Sequence, residues 1–186
     1  AGSKGDPLTI GSIAVEVLPA ALPGLVKFVQ AWMARGRGRT IKFKGRGIEF
    51  EGSPESDCQS LAGLVAELTA LGTDLHCLRD LTRGGLTAVL NEIAGSARCG
   101  IEVDETKVPV REDVRAACEM LGLDPFQVAN EGKLVAVVAA EDAEMALAAL
   151  RKDKYGKNAS IIGAIEKGDN RVFMTTVIGT NRILDM

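Results

Sequence analysis

The stretch "LRDLTRGGLTAVLNEIA", residues 78–94, places an acid, a hydroxyl, an arginine and two glycines directly before an amphipathic helix. Apolar side chains recur there at helical spacing, which predicts a buried stripe made of Leu86, Val89, Leu90 and Ile93. We expect Asp80 or Thr82 to cap the helix by accepting hydrogen bonds from its free N–H groups. This helix decides the fold, because a helix with one apolar stripe has to pack against another layer.

Two glycines, Gly84 and Gly85, stand at the first turn of this helix. Each lowers helix stability by about 1 kcal/mol relative to alanine, so the pair indicates that another group approaches the backbone closely. A helix N-terminus beside Arg83 is suited to binding a phosphate or a carboxylate. The alternative is a cap with tight helix–sheet packing, and the local pattern favours neither interpretation.

A second polar stretch, "VANEGKLV" at residues 128–135, lies where a loop is expected to become a strand. Taken alone it favours a turn, since Asn130 and Gly132 tolerate unusual φ angles while Glu131 and Lys133 are readily solvated. The functional alternative makes Glu131 a carboxylate at the end of a sheet that moves a proton.

Helical and strand patterns interleave along the rest of the chain. Periodicity predicts helices in 58–72, 111–122 and 141–152, a strand and a turn in 100–110, a loop followed by a buried strand in 123–140, and strands in 159–168 and 171–179. We therefore expect an α+β fold, a layered mixed sheet with helices packed on it. A small helix-plus-hairpin unit is expected to precede this sheet.

Charge is distributed unevenly along the chain. Between Arg35 and Arg46 every charged residue is positive, whereas the chain after Phe50 is acidic. We therefore expect two domains: 1–52, a small basic helix and β-hairpin unit or fusion segment, and 53–186, the larger unit. The basic run fits a solvated hairpin face better than a surface for nucleic acid or an acidic partner.

The composition excludes several classes of protein. Aromatic residues make up only 4% of the chain, too few for a base-stacking surface, so we expect no nucleic-acid partner. The four cysteines form no C-x-x-C pair and there is one histidine, so we expect no metal site. The apolar stretch 10–32 is long enough to span a membrane, but its prolines and charges favour a soluble, cytoplasmic protein.

Four stretches resemble, in this order, the C-terminal domain of the HypE family of hydrogenase-maturation proteins. They are "LRDLTRGGLTAVLNEIA", "VPVREDVRAACEMLGLDPFQVANEGKLVAVV", "IIGAIEKG" and "TVIGTNRILD". That family belongs to the superfamily of ATP-dependent aminoimidazole ribonucleotide synthetase and selenophosphate synthetase. The resemblance covers about 55–186, and 1–52 shows no match to the family. The family pattern R-D-P-T-R-G-G is kept, except that Leu81 replaces its proline.

The resemblance implies a carbamoyl dehydratase. Enzymes of this family hold a carbamoyl group as a thiocarbamate on a C-terminal cysteine, phosphorylate its oxygen with ATP and eliminate phosphate. The resulting thiocyanate supplies cyanide to the iron of nickel–iron hydrogenase. By this resemblance Glu131 is the general base, in a loop with Asn130, Gly132 and Lys133. The residues expected on the phosphate side are Asp80, Thr82, Arg83, Gly84 and Gly85.

The resemblance also implies ATP and Mg²⁺ as cofactors of the complete enzyme, and a homodimer in its full-length form. The expected partners are a carbamoyltransferase and an iron-scaffold maturation protein. In the family, most ATP and magnesium residues lie in an N-terminal half, and no such pattern occurs in 1–52. No cysteine here lies in a C-terminal tail, so we expect the chain alone to bind no cofactor and to be inactive. Two alternatives stay open: a catalytically dead assembly module, or another ATP-dependent synthetase of the superfamily.

Overall fold

The computed structural model describes residues 12–16, 40–45, 48–52, 59–168 and 170–185. The chain divides into two compact units that are not contiguous in sequence: Ala1–Asp57 with Glu112–Gly122, and Cys58–Arg111 with Leu123–Met186. The described residues form these elements, in chain order: β1 (Ser12–Glu16), β2 (Thr40–Gly45), β3 (Ile48–Gly52), α1 (Ala62–Ala70), β4 (Leu75–Leu81), α2 (Gly85–Ala97), β5 (Gly100–Asp104), α3 (Glu112–Leu121), β6 (Asn130–Val138), α4 (Ala143–Leu150), β7 (Gly163–Glu166), β8 (Val172–Thr175) and β9 (Asn181–Ile183).

The first unit contains a three-stranded sheet and α3. Strand β2 pairs antiparallel with β3, Phe43 opposite Phe50, so the predicted hairpin is confirmed. Strand β1, which the sequence did not reveal, pairs with β2 in parallel. The helix expected before residue 38 lies outside the described residues, as does most of the apolar stretch 10–32. None of the helices in the described ranges is both long and apolar enough to cross a membrane.

The second unit contains two sheets and the helices α1, α2 and α4. Strands β4 and β6 form an antiparallel pair, and a separate four-stranded sheet has the order β7-β5-β8-β9. In the larger sheet β5 and β8 run parallel, while the other two pairs are antiparallel. The expected α+β fold with mixed sheets and packed helices is therefore confirmed.

The core of the second unit forms between α2 and the four-stranded sheet. The predicted apolar stripe of α2 is confirmed, because Leu86, Val89, Leu90 and Ile93 are all buried. It packs with Val172 and Met174 of β8, whose side chains have no exposed surface. Complete burial of a side chain of this size stabilises the fold by about 1.5–3 kcal/mol, which fixes α2 firmly on the sheet.

In the second unit the sequence patterns missed two strands, β4 and β9, and both bear on the site. At the end of β4 the side chains alternate between the two faces, so that Leu81 is buried and Asp80 is exposed. In the sequence, however, Arg79 and Asp80 interrupt the run of apolar residues. Strand β9 has only three residues, all exposed, and lies at the edge of its sheet. Neither strand presents the long apolar alternation by which strands are recognised.

Candidate functional site

A cavity of about 420 Å³ lies where β4 ends and α2 begins. Strand β4 ends at the buried Leu81 and α2 starts four residues later, so the cavity lies between these two elements and the segment that joins them. All six lining side chains come from a short segment of the chain: Arg79, Asp80, Thr82, Arg83, Val89 and Glu92. Three of the five residues predicted for the phosphate side therefore lie around one cavity.

An ion pair crosses the cavity wall from strand to helix. Arg79 Nη2 donates a hydrogen bond to Glu92 Oε2, and each side chain is nearly half exposed. The hydrogen bond and the charge of Glu92 raise the pKa of the Arg79 guanidinium above its ordinary value. Arg83, by contrast, is exposed and makes no ion pair with any residue that the structure describes. Arg83 is therefore the cation of this cavity that is available to an anion.

The start of α2 corrects the predicted cap. The N-cap residue is Gly84, in the left-handed region at φ +67°, and no side chain caps the helix by a hydrogen bond. The expectation that Asp80 or Thr82 caps α2 is therefore wrong. Glycine has no Cβ to clash in this conformation, so the backbone turns sharply and both side chains lie ahead of the helix, against the cavity.

The second glycine, Gly85, supplies the close approach that the sequence indicated. Its φ is +65°, and a Cβ built there would lie 2.5 Å from the Phe126 carbonyl oxygen and 2.7 Å from that of Val128. These carbonyls belong to a 3₁₀ turn, Pro125–Gln127, and the residue after it. The group that approaches Gly85 is thus the backbone of this turn, so the packing interpretation accounts for Gly85.

The "NEGK" residues form a bulge in β6 rather than a loop before it. Asn130 stands opposite Leu81, and the next register pair joins Leu134 to Asp80, so residues 131–133 are extra on the β6 side. The Asn130 side-chain oxygen accepts a hydrogen bond from the Gly132 N–H at 2.9 Å, which stabilises the bend. A β-bulge of this kind re-aims side chains near the end of a ladder.

Strand pairing therefore brings the two predicted motifs to the same end of one ladder. Glu131 and Lys133 are exposed on the bulge, next to the end of β4. They are not among the six residues that line the cavity. The shared role of Glu131 and Arg83 stays a prediction.

Two further polar residues of the cavity, Arg79 and Glu92, were not predicted. Their pairing joins β4 to the second turn of α2, and no local spacing in the sequence signals it. Within the described ranges, no three residues of the types His, Cys, Asp and Glu come together as metal ligands.

The sequence profile of a known family matches residues 35–175, and it describes the C-terminal domain of AIR synthase related proteins. The chain belongs to this family. The carbamoyl dehydratase HypE of Azotobacter vinelandii is 43% identical over 98% of the chain. That alignment covers 56% of the relative, so this AIR synthase related chain spans about half the length of the relatives it matches.

Solved structures of HypE share the fold of this family member. A HypE crystal structure in complex with ATP has a TM-score of 0.71 and 44% identity, over 76% of this chain and 44% of that one. A HypE–HypF complex has a TM-score of 0.70 and 43% identity, over 74% of this chain and 45% of that one. The resemblance to HypE is therefore confirmed.

One part of that expectation is wrong. Residues 1–52 were expected to be unrelated to the family, yet the family profile begins at residue 35 and the A. vinelandii alignment spans nearly the whole chain. The reversal of charge near residue 50 is thus a feature within a related sequence and does not mark foreign origin. The domain boundary at residue 52 stays a prediction.

Proposed function

We propose that this chain forms the C-terminal part of an ATP-dependent carbamoyl dehydratase that makes the cyanide precursor for nickel–iron hydrogenase. The observation that carries the proposal is the cavity, because Asp80, Thr82 and Arg83 of the family motif gather there at the start of α2. The 43% identity to a carbamoyl dehydratase and the likeness to a HypE bound to ATP support the same conclusion.

The residues around the cavity fit a phosphoryl group. Arg83 is a cation free of ion pairs within the described structure, and a 13-residue helix begins beside it. The first N–H groups of a helix have no partner inside it, and its dipole favours an anion there. Val89 is the one apolar side chain lining the cavity, which therefore suits phosphate better than an adenine ring.

Arg79 is less suited than Arg83 to bind that phosphate, because its guanidinium is already paired with the Glu92 carboxylate. Asp80 is the remaining carboxylate of the cavity. Mg²⁺ is usually bound by one or two carboxylates together with substrate phosphates and waters, so Asp80 alone does not define a magnesium site. We therefore assign Mg²⁺, which the family resemblance implies, to no set of residues in this chain.

The chemistry requires an anion-binding group and a base. When ATP is bound it supplies the phosphoryl group that turns the carbamoyl oxygen of an S-carbamoyl cysteine into a leaving group. Phosphorylation of that oxygen is accompanied by loss of one of the two N–H protons. Loss of the second N–H proton and cleavage of the C–O bond then form the carbon–nitrogen triple bond and release phosphate. In our proposal Arg83 and the start of α2 hold the departing phosphate, and Glu131 accepts this second proton.

The proposal includes protein partners. A carbamoyl group has to be delivered and cyanide has to be accepted, so we propose a carbamoyltransferase and an iron-scaffold protein as partners of a full-length homodimer. The solved complex of a HypE with HypF supports a protein partner for this family.

A catalytically inert assembly module is the second candidate. One observation favours it: Val177 and Ile178, at the turn between β8 and β9, are 62% and 80% exposed. These two adjacent side chains form a small exposed apolar patch, and an apolar patch is a feature that a partner protein can cover. If this candidate is right, Ile178→Ser abolishes partner binding, while substitutions at Glu131 or Arg83 change no catalytic rate.

A chimeric enzyme separates these functions. The matching segment of the A. vinelandii relative is replaced by this chain, and mass spectrometry follows loss of one water from the S-carbamoyl cysteine. Glu131→Gln is expected to slow that loss by about 10²–10⁴-fold, because it removes the base and keeps the shape of the side chain. Arg83→Ala is expected to raise the KM for ATP, while Lys157→Ala, which removes an exposed cation outside the cavity, changes neither quantity.

Two results would contradict the proposed role of Glu131 and the expected inactivity of the chain alone. A Glu131→Gln chimera that dehydrates at the unsubstituted rate refutes the role of Glu131. The chain tested alone is expected neither to hydrolyse ATP nor to take up a carbamoyl group. A thiocarbamate on any of its four cysteines after incubation with a carbamoyl donor refutes that expectation.

A further inference from the structure

A hydrogen-bonded link begins at Arg182 on the edge strand β9. Its Nη2 donates to Asp124 Oδ2 at 3.0 Å and lies 3.6 Å from the sulfur of Met174. The guanidinium carbon also lies 5.9 Å from the centre of the Phe126 ring. The Asp124 side chain is only 22% exposed, so this ion pair is better shielded from water than the pair of Arg79 and Glu92.

The carboxylate of Asp124 also stabilises a turn by a hydrogen bond. Asp124 Oδ1 accepts a hydrogen bond from the Phe126 N–H at 2.9 Å and caps the 3₁₀ turn Pro125–Gln127. Phe126 is itself buried in the core against α2. One side chain therefore fixes the turn with one oxygen and binds Arg182 with the other.

The position of this 3₁₀ turn also limits where α2 can begin. Carbonyl oxygens of Phe126 and Val128 lie so close to Gly85 that a methyl group does not fit between them. Gly85 is the first residue of α2, and Arg83 precedes it by two positions. Because backbone packed against backbone cannot yield independently, the position of Gly85 follows the position of the turn.

A second tie joins the end of β9 to the same helix. Asn91 Nδ2 donates to the Leu184 carbonyl at 2.8 Å and to the Thr87 carbonyl at 2.9 Å. Helix α2 is thus held from the β9 side at two places: at Gly85, its first residue, through the 3₁₀ turn, and directly at Asn91. Neither tie touches the residues that line the cavity.

We propose that Arg182 is a positioning residue for the anion site. Through Asp124 and the 3₁₀ turn it fixes Gly85, and with it the backbone that presents Thr82 and Arg83 to the cavity. The identity of the anion as a phosphate rests on the function proposed above. The placement of Gly85 by Arg182 does not depend on it.

The test uses the full chain, NMR and inorganic phosphate as the probe. Arg182→Gln is expected to shift the amide signals of Gly84, Gly85 and Leu86 without ligand, and to weaken phosphate binding by about three- to tenfold. Arg182→Lys, which keeps a cation for Asp124, restores both. The matched control is Arg151→Gln, which also loses one arginine hydrogen bond, to the Ala159 carbonyl, outside the cavity.

Asp124→Asn provides an independent variant if Arg182→Gln does not fold. It keeps an acceptor for the Phe126 N–H and removes the charge that Arg182 binds, and we expect it to move the same three amide signals. Signals that change only at residues 124–128 and 174–184 overturn the positioning role. If the unsubstituted chain shows no response to phosphate around Arg83, the phosphate site proposed there fails, and the ligand-free shifts still decide the role of Arg182.

Discussion

Alanine at Gly85 tests the packing at the start of α2. At φ +65° a side chain costs about 1–2 kcal/mol. The Cβ would also overlap the carbonyl oxygens of Phe126 and Val128, at 2.5 and 2.7 Å, and overpacking of this kind costs about 1–3 kcal/mol. The lower entropy of alanine in the unfolded chain offsets about 0.4–1 kcal/mol of this. We expect Gly85→Ala to destabilise the second unit by about 2–4 kcal/mol.

Gly72→Ala is the matched control, because Gly72 has φ +69° and nothing within 4 Å of the added Cβ. It retains the backbone cost alone, about 1 kcal/mol after the same offset. Urea unfolding, followed through amide signals of buried α2 residues, measures both variants. With a slope of about 1–3 kcal/mol/M, the two midpoints should differ by roughly 1 M. Equal midpoints would refute both the close contact at Gly85 and the positioning of α2 by the turn.

Thr87, Asp104 and the segment 52–55 can each be tested by substitution or cleavage. Thr87→Val should stabilise the chain by about 0.5–2 kcal/mol in the same urea assay, because the Thr87 hydroxyl is buried without a hydrogen-bond partner among the described residues; a loss of stability contradicts this. The hydrogen bond from Thr106 and the charge of Lys107 lower the pKa of Asp104, so its stabilisation is present at neutral pH and is lost as the pH falls through that lowered pKa. Asp104→Asn should therefore be less stable than the unsubstituted chain at neutral pH and equal to it in strong acid, as thermal melts across that range would show. Limited proteolysis should cut first near residues 52–55; a first cut elsewhere in the chain counts against the boundary predicted there.

Much of the fold could be predicted from local patterns. The stripe of α2 was predicted correctly because a helix buried on one side repeats its apolar residues with the period of the helix. Strand β4 was missed because Arg79 and Asp80, which line the cavity, interrupt the apolar alternation of a strand. Two consecutive charged side chains hide the pattern by which a strand is recognised in a sequence.

The candidate site was predictable in part for a similar reason. Asp80, Thr82 and Arg83 are contiguous, so their common location follows from the chain itself. Glu92 was missed because its partner lies on another element, and only the packing of α2 against β4 brings the two together. The cap was predicted wrongly because a left-handed glycine replaced the usual side-chain acceptor. The charge reversal near residue 50 was misleading, because the sign of the net charge of a segment carries no information about its fold.

The ladder between β4 and β6 has a consequence for the order in which the site is assembled during synthesis. Residues 79–92 form one continuous segment, so the contacts among them join residues that are close in sequence. Glu131 reaches the end of β4 only by closing a loop of roughly fifty residues, which costs more entropy and slows folding. In a nascent chain the contact between Arg79 and Glu92 can therefore form before Glu131 reaches the end of β4. The ladder with β6 and the burial of α2 against β8 wait for residues that are synthesised later.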